Sequence, residues 1–330
     1  MDWGLIITNA LRAMVGLDTV VFALAAIGLN VHFGYTGLLN FGQSAFLAVA
    51  GYGLAITVAE FQLPTLLGVV VGLVGAVVLA LLLGAPTLRL RADYLAIVTI
   101  AAAEIVRLLY RSVSLSEYTG GSDGLGRFSE GFYSINPFSD GRYGIGRVAF
   151  NERVTWSLTV GWTLVLLSCL LVFLLMRSPW GRVLKAIRED EDAVRSLGKN
   201  VYSYKMQSLV LGGVLGSLAG FILALGRAAV QPDSFGTETT FFAYTVLILG
   251  GAARVLGPVV GAMIFWMVLS LTDNLLNQAV DNGIIPSTIM NNTQVGQVRF
   301  MLVGIALMLL MIYRPQGIFG DKRELALDVR

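Results

Sequence analysis

The sequence predicts an all-α integral membrane protein, a polytopic bundle of about nine transmembrane helices, with eight to ten allowed. Of its 330 residues, 56% are hydrophobic and only 13% are charged, and the mean hydropathy is +0.75. A soluble domain carries about 25% charged residues, because water must wet its surface. We therefore expect most of this surface to contact lipid, which excludes a soluble enzyme, a nucleic-acid-binding protein and a disordered chain.

Long apolar stretches define the candidate spans. A helix needs about 20 mostly apolar residues to cross the hydrocarbon core. Thr65–Gly84, Thr155–Met176 and Met206–Gly226 meet this requirement without a single charged residue. Residues 1–16 are apolar but short, so they either cross the membrane or lie in its interface. The other candidate spans are 93–111, 239–254, 257–276 and 297–313.

A glycine-rich segment predicts a break in the first long apolar stretch. Thr19–Ala59 contains no Asp, Glu, Lys or Arg, and as one helix it would be about 60 Å long, twice the hydrocarbon thickness. The predicted break is Phe33–Gly42, whose three glycines, Asn and Thr disfavour one straight helix. Asn40, Gln43 and Ser44 are polar residues at this break. Either they line a translocation path beside freed backbone groups, or they satisfy those groups.

Lysine and arginine positions predict the orientation. Residues 177–205 hold seven basic residues and residues 314–330 hold four, whereas the two connections on the alternate side between them hold none. Basic loops stay in the cytoplasm, so we expect a cytoplasmic loop at 177–205 and a cytoplasmic tail at 314–330. A short loop with two arginines lies at 89–91. Residues 112–153 then form a long periplasmic connection within one transmembrane domain, 1–330.

The basic loop contains a predicted amphipathic helix, Arg182–Leu197, which Gly198 ends. One face is charged and the other is an apolar stripe. The stripe consists of Leu184, Ile187, Val194 and Leu197. Such a helix has no role inside a membrane. Its stripe requires a groove, either in this protein's own cytoplasmic face or in a soluble partner.

Few residues could support catalysis or ion coupling. A single cysteine, Cys169, excludes an internal disulfide framework, and a single histidine, His32, argues against zinc chemistry or a catalytic triad. An ion-coupled secondary transporter is expected to show internal repeats and intramembrane carboxylates. No clear repeat is present, and Glu60 and Glu104 are weak candidates. Glu104 and Arg107 are spaced to pair on one helix face. We therefore predict no catalytic residue and no metal site.

Short blocks along the chain carry a family resemblance. Asp192–Gly198 resembles the E-A-A-x-x-x-G loop of bacterial ABC importer permeases, with Asp for Glu and Val for the second Ala. Together the blocks resemble, in register, the permease subunits of importers for branched-chain amino acids, and among them the M-type subunit of the LivM kind. The other blocks are Gly34–Phe46, Leu88–Thr99, Thr119–Leu125, Ser178–Gly198 and Tyr313–Gly320.

The resemblance implies an assembly in the bacterial inner membrane. In this family two related permeases form a heterodimeric pore, two ATPases bind beneath it, and a periplasmic binding protein delivers the substrate. ATP and magnesium would bind the partner subunits, leaving this chain non-catalytic and without a cofactor. The sequence agrees, because it lacks the G-x-x-x-x-G-K-[ST] phosphate loop.

The resemblance also assigns roles to residues. The cytoplasmic helix becomes the coupling helix on which the ATPases act. The coupling residues would be Leu184, Ile187, Asp192, Ala193, Val194, Leu197 and Gly198. The residues themselves, rather than the resemblance, indicate the candidate translocation path, which comprises Asn40, Gln43 and Ser44 at the polar break together with Gly120 and Gly121. The turn at Gly120–Gly124 either shapes the outer vestibule, which we favour, or contacts the ligand directly.

The expected substrates are branched-chain or other neutral amino acids. The alternative within the same class is a urea or short-amide importer, because related permeases serve those substrates and no block separates the two. An ion-coupled secondary transporter is the alternative from another class.

Overall fold

A computed structural model describes residues 1–88, 92–285, 291–314 and 316–320. Within these ranges the chain is mostly helical, with two small antiparallel sheets, β1 with β4 and β2 with β3. The helices are α1 (Trp3–Val15), α2 (Leu17–Leu29), α3 (Gln43–Ala59), α4 (Thr65–Thr87), α5 (Ala92–Arg111), α6 (Ser116–Thr119), α7 (Glu130–Tyr133), α8 (Glu152–Arg177), α9 (Pro179–Glu189), α10 (Glu191–Ser196), α11 (Val201–Arg227), α12 (Thr237–Gly250), α13 (Gly257–Asp281) and α14 (Asn292–Tyr313). The strands are β1 (Leu125–Gly126), β2 (Arg142–Ile145), β3 (Val148–Asn151) and β4 (Ala229–Val230). A π-helical turn covers Asn30–Tyr35, and short 3₁₀ turns cover Val113–Leu115 and Pro232–Phe235.

Among the described residues, five helical stretches are long and apolar enough to cross a membrane. They are Trp3–Tyr35, Thr65–Thr87, Glu152–Arg177, Val201–Arg227 and Gly257–Asp281. Gln43–Ala59 is a shorter apolar helix. This is the arrangement of a multi-pass helical membrane protein. The arginines predicted to form a basic loop, Arg89 and Arg91, lie outside the described residues, as does the tail after residue 320.

Polar side chains mark where the long helices begin. Asn151 caps α8, because its Oδ1 accepts the Val154 N–H at 2.9 Å. Asn200 caps α11 in the same way, with 3.1 Å to the Ser203 N–H. Such caps satisfy amide groups that a helix leaves without an internal partner. They fix the start of the two longest helices, which have 26 and 27 residues and are about 40 Å long.

These two helices define the ends of the molecule. Helix α8 starts directly after the β2–β3 hairpin and leads into α9, and α11 returns to β4, which pairs with β1. We call the first side the hairpin end and the other the α9–α10 end. The connection at 112–153 therefore lies on the opposite side of the molecule from the basic loop.

The core forms where α2, α3 and α11 pack with their backbones in contact. Residues 19–29 of α2 are all buried. A Cβ on Gly28 would lie 2.4 Å from the Gly212 carbonyl oxygen, and one on Gly220 would lie 2.2 Å from the Leu47 carbonyl oxygen. No side chain fits at such distances. The glycines spaced four apart on α11, including Gly216, thus serve packing within this chain.

Helix α1 lies at the hairpin end. With 13 residues it is about 20 Å long, too short to cross the hydrocarbon core by itself. The Asp2 backbone N–H donates to Gln278 Oε1 at 2.7 Å. Near the other end of the helix, Arg12 Nη2 donates to the Arg147 carbonyl in the hairpin at 2.7 Å. Both ends of α1 therefore remain close to the same face of the molecule.

We predict that Gly28→Ala lowers the thermal unfolding temperature of the purified protein. Its methyl group would lie 2.4 Å from a backbone oxygen of α11, and such overpacking costs about 1–3 kcal/mol or more. Gly304→Ala is the matched control. A Cβ at that position meets nothing within 4 Å, and alanine favours a helix by about 1 kcal/mol. Equal unfolding temperatures of the two variants would contradict the close contact between the backbones of α2 and α11.

Candidate functional site

The glycine-rich segment interrupts the helices inside the core. Helix α2 widens into the π-helical turn, and residues 37–42 are not helical before α3 begins at Gln43. Gly37 has a φ of +75°, a left-handed conformation that glycine adopts without strain. The Leu38 N–H still reaches the His32 carbonyl at 2.9 Å. The Gly37 and Asn40 N–H groups also find backbone carbonyls, at 3.2 and 3.0 Å. Other polar groups of this stretch have partners from side chains.

A buried network of His32, Asn40 and Gln43 supplies these partners. His32 Nε2 lies 3.1 Å from the Leu209 carbonyl oxygen, so it must carry the proton and donate it, since a carbonyl only accepts. His32 Nδ1 is then an acceptor for Asn40 Nδ2, also at 3.1 Å. Asn40 Oδ1 accepts the Gly42 N–H at 2.9 Å. The network thus closes the non-helical segment against α11.

The neighbouring groups extend the same network to other helices. Tyr244 of α12 donates its hydroxyl to the Asn40 carbonyl at 2.9 Å. The Ser44 N–H donates to Thr240 Oγ1, also at 2.9 Å. The Gln43 amide makes longer contacts, of 3.4 and 3.5 Å, to backbone carbonyls of α2 and α11. One segment therefore ties together α2, α3, α11 and α12.

The structure buries three of the predicted path residues. Asn40, Gln43 and Ser44 are at most 1% exposed. The amides of Asn40 and Gln43 bond to the segment and its neighbours, which is the arrangement expected of groups that satisfy the break. Ser44 differs, because its Oγ is buried with no hydrogen-bond partner among the described residues.

The two predicted path glycines lie elsewhere. Gly120 and Gly121 have φ of +72° and +57° and form a turn that leads into β1. A Cβ on Gly120 would lie 1.9 Å from the Gly124 carbonyl oxygen, so only glycine fits this turn. Since β1 pairs with β4, the turn belongs to the hairpin end. No hydrogen bond of the described residues joins it to Asn40, Gln43 or Ser44.

The predicted single coupling helix is wrong, because the chain forms two helices, α9 and α10. Asp190 separates them with extended backbone angles, φ −153° and ψ 103°. Its carboxylate accepts the N–H groups of Asp192 and Ala193 at 3.0 and 2.9 Å. An aspartate that caps a new helix in this way stops the previous one. Gly198, with φ +77°, follows the end of α10 as predicted.

The apolar stripe is covered mainly by this chain itself. Leu184 is completely buried, and Ile187 and Val194 are 4% and 6% exposed. Ile187 and Val194 pack with Val201 at the start of α11. Of the two grooves considered for the stripe, this chain's own surface therefore covers these three side chains, and the prediction that they contact an ATPase is wrong for them. Leu197 is the exception, because it is 80% exposed.

Helix α9 contacts the glycine-rich segment directly. Arg188 Nη1 donates to the Gly34 carbonyl at 2.5 Å, and the Lys185 ammonium lies 5.7 Å from the centre of the Tyr35 ring. A Cβ on Gly37 would lie 3.2 Å from Arg188 Cγ. Any displacement of α9 must therefore move against residues 34–37, which lead into the buried network.

A charged cluster lies at the hairpin end. Glu104 and Arg107 pair as their spacing predicts, through two bonds of 2.6 and 3.0 Å. Arg107 also binds Asp233 at 2.7 Å, and Arg227 binds Asp18 at 3.0 Å. Sequence reasoning missed Asp233 and Arg227, because the contacts join residues more than 100 positions apart and follow no local spacing.

Comparison with known proteins adds the family. The fold and site define a multi-pass helical membrane protein with a polar break in its core and two short helices at one end. Residues 12–312 match the family described as branched-chain amino acid transport system / permease component. The chain belongs to this family.

Individual relatives agree with this assignment. The chain is 30% identical to the high-affinity branched-chain amino acid transport system permease protein LivM of Salmonella typhimurium, over 92% of this chain and 69% of that protein. It is 26% identical to the corresponding LivH protein of Escherichia coli, over 91% of each. The solved structure of PsaBC from Streptococcus pneumoniae in complex with Fab covers 97% of this chain and is itself 94% covered, at 14% identity and a TM-score of 0.44, too low to support an argument.

We predict that Asn40→Ala destabilises the protein. It leaves His32 Nδ1 and the Gly42 N–H without their hydrogen bonds, and a buried polar group left unpaired costs about 1–3 kcal/mol. Asn282→Ala, at the exposed end of α13, is the control. Thermal unfolding in detergent should show a lower midpoint for the first variant only. The same midpoint for both variants would contradict a structural role for the network.

Proposed function

We propose that this chain is the transmembrane permease subunit of an ATP-binding-cassette importer that moves branched-chain or other neutral amino acids into the cell. The observation that carries the proposal is the family match across 12–312. Both LivM and LivH, two permease proteins named for branched-chain amino acid transport, resemble this chain over more than nine-tenths of its length. The two short helices α9 and α10, at one end of the bundle, also support the proposal.

The proposed topology has about nine spans within one domain, 1–330, in a bacterial inner membrane. The basic residues at 177–205 favour a cytoplasmic α9–α10 end, and the tail at 314–330 would lie on the same side. The hairpin end, with 112–153, would then face the periplasm. Helices of the described residues overlap the predicted spans, and five helical stretches are long and apolar enough to cross a membrane. The break at Phe33–Gly42 would lie within the membrane.

Coupling would act through the exposed side of α10 and the turn that follows. Asp192, Ala193, Leu197 and Gly198 are exposed and would contact an ATPase. Leu184, Ile187 and Val194 would instead hold the two helices on the bundle. Movement of α9 would reach the glycine-rich segment through the bond between Arg188 and the Gly34 carbonyl. The glycine-rich segment would then switch between two conformations, and nucleotide bound to the ATPases would favour one of them.

The translocation path would run beside this segment. Asn40 and Gln43 would position the non-helical backbone. The Ser44 hydroxyl, which has no hydrogen-bond partner among the described residues, would be free to bond to a passing substrate. Gly120 and Gly121 would shape the outer vestibule at the hairpin end.

The partners of this proposal are a second, homologous permease, two ATPases and a periplasmic binding protein. The similarity of one chain to both LivM and LivH fits a pore built from two related subunits. ATP and magnesium would bind the ATPases, so this chain would be non-catalytic and would bind no cofactor. Its substrate would be an amino acid.

The alternatives have less support. A urea or short-amide importer would share the fold, but the relatives cited above are named for branched-chain amino acids. An ion-coupled transporter would need a membrane carboxylate available to a proton or sodium ion. Glu104 is bound to Arg107, and Glu60 is exposed at the end of α3.

Deletion of the gene for this chain tests the proposal. We expect the deletion to abolish high-affinity uptake of labelled leucine, and the wild-type gene to restore it. Labelled urea serves as the comparison substrate. Loss of urea uptake with unchanged leucine uptake would overturn the proposed substrate.

Leu197→Asp should abolish leucine uptake while the protein level in the membrane stays normal, because this side chain is exposed and would contact the ATPase. Asn200→Asp is the control, since it adds the same charge nearby and retains a residue able to cap α11. Val194→Asp should instead lower the protein level, because it buries a charge. Normal uptake with Leu197→Asp would contradict the coupling role.

A further inference from the structure

An open cleft lies at the hairpin end, bordered by α2, α5, α11, α12 and α13. Its volume is about 630 Å³, within the range of small-molecule sites. It combines charged groups of both signs with an apolar wall. The lining residues used below are Arg107, Leu223, Arg227, Glu238, Phe242 and Trp266.

The charged groups of the cleft differ in how far they are already paired. Arg107 is engaged by Glu104 and Asp233. Arg227 bonds to Asp18 through Nη2 alone, so most of its five N–H donors have no protein acceptor among the described residues. Glu238 has no ion-pair or hydrogen-bond partner in the described part of the chain. The cleft therefore offers one cation and one anion that a ligand could satisfy.

The apolar wall lies within the same cleft. Phe22 packs against Trp266 with ring centres 5.3 Å apart and against Phe242 at 6.1 Å. Leu223 of α11 adds an aliphatic surface. The Trp266 Nε1 is buried without a hydrogen-bond partner in the described residues, which is a further donor left unsatisfied. A buried polar group normally has a partner.

From these groups we infer that the cleft binds the substrate as a zwitterionic α-amino acid with an aliphatic side chain. Arg227 takes the α-carboxylate, Glu238 takes the α-ammonium group, and Leu223, Phe242 and Trp266 contact the side chain. The inference rests on the function proposed above and adds the residues that recognise the substrate. It favours an amino acid over urea, because only a ligand that carries both charges can pair with Arg227 and Glu238 at the same time.

The position of the cleft connects it to the break. Val21 and Phe22 of α2 line the cleft, and the same helix continues into the π-helical turn and the glycine-rich segment. Under the proposed topology the cleft faces the periplasm, from which the substrate arrives. A substrate held there would lie against the helix that continues into the π-helical turn, and this turn contacts α9.

The test measures ligand binding without the soluble binding protein, which would otherwise determine the apparent affinity. The complex is isolated from native membranes through a tag on the full-length chain and placed in nanodiscs. Binding is measured for L-leucine, for leucinamide, which lacks the carboxylate, for 4-methylpentanoate, which lacks the ammonium group, and for urea. Wild-type protein should prefer leucine to the other three ligands.

Arg227→Gln should weaken leucine binding about tenfold, the loss of one charge-assisted hydrogen bond, and leave leucinamide binding unchanged. Glu238→Gln should weaken leucine binding similarly and leave 4-methylpentanoate binding unchanged. Glu117→Gln, an exposed residue at the same end that does not line the cleft, is the control. If Arg227 and Glu238 had a purely structural role, each substitution would weaken the binding of all four ligands together.

The outcomes separate the two proposals. If the wild-type complex imports leucine but the variants bind every ligand as it does, or lose all ligands equally, the cleft assignment is overturned. If the wild-type complex binds urea and not leucine, the assignment and the proposed substrate both fail. If the wild-type complex neither binds nor imports leucine, the proposed function fails first.

Discussion

Residues 37–42 form a non-helical stretch inside a chain whose surroundings are apolar, and the rest of the molecule depends on satisfying that backbone. Lipid offers no partner to a free N–H or carbonyl group. The His32–Asn40–Gln43 network supplies partners from within, and Tyr244 and Leu209 anchor it to two further helices. A segment closed by side chains can exchange those bonds for others, which an intact helix cannot do as readily.

Close backbone packing places this segment where it can act. Gly28 brings α2 against α11, so His32, one turn further along, reaches the Leu209 carbonyl. The same helix lines the charged cleft and continues into the π-helical turn, which contacts α9. Helix α2 would therefore connect the residues that recognise the substrate with the helices that the ATPases move. This continuous element gives the proposed coupling a physical route.

Much of this arrangement could be predicted from the sequence, because apolar length, glycine spacing and cap residues are local signals. The pairing of Glu104 with Arg107 followed from helical spacing. The single helix at Arg182–Leu197 did not form, because Asp190 offered a competing cap. The periodicity identified an apolar stripe, but periodicity does not say what covers it, and the chain covers three of its four members itself. Contacts such as Arg107–Asp233 follow from the fold and from no local pattern.

The most direct test of the central claim is transport by the complex, isolated through this chain and reconstituted into proteoliposomes with its binding protein. Labelled leucine should accumulate only when ATP is present on the side that carries α9 and α10, and an ion gradient without ATP should drive none. Accumulation by this chain alone, driven by a proton or sodium gradient, would contradict the account and favour a secondary transporter.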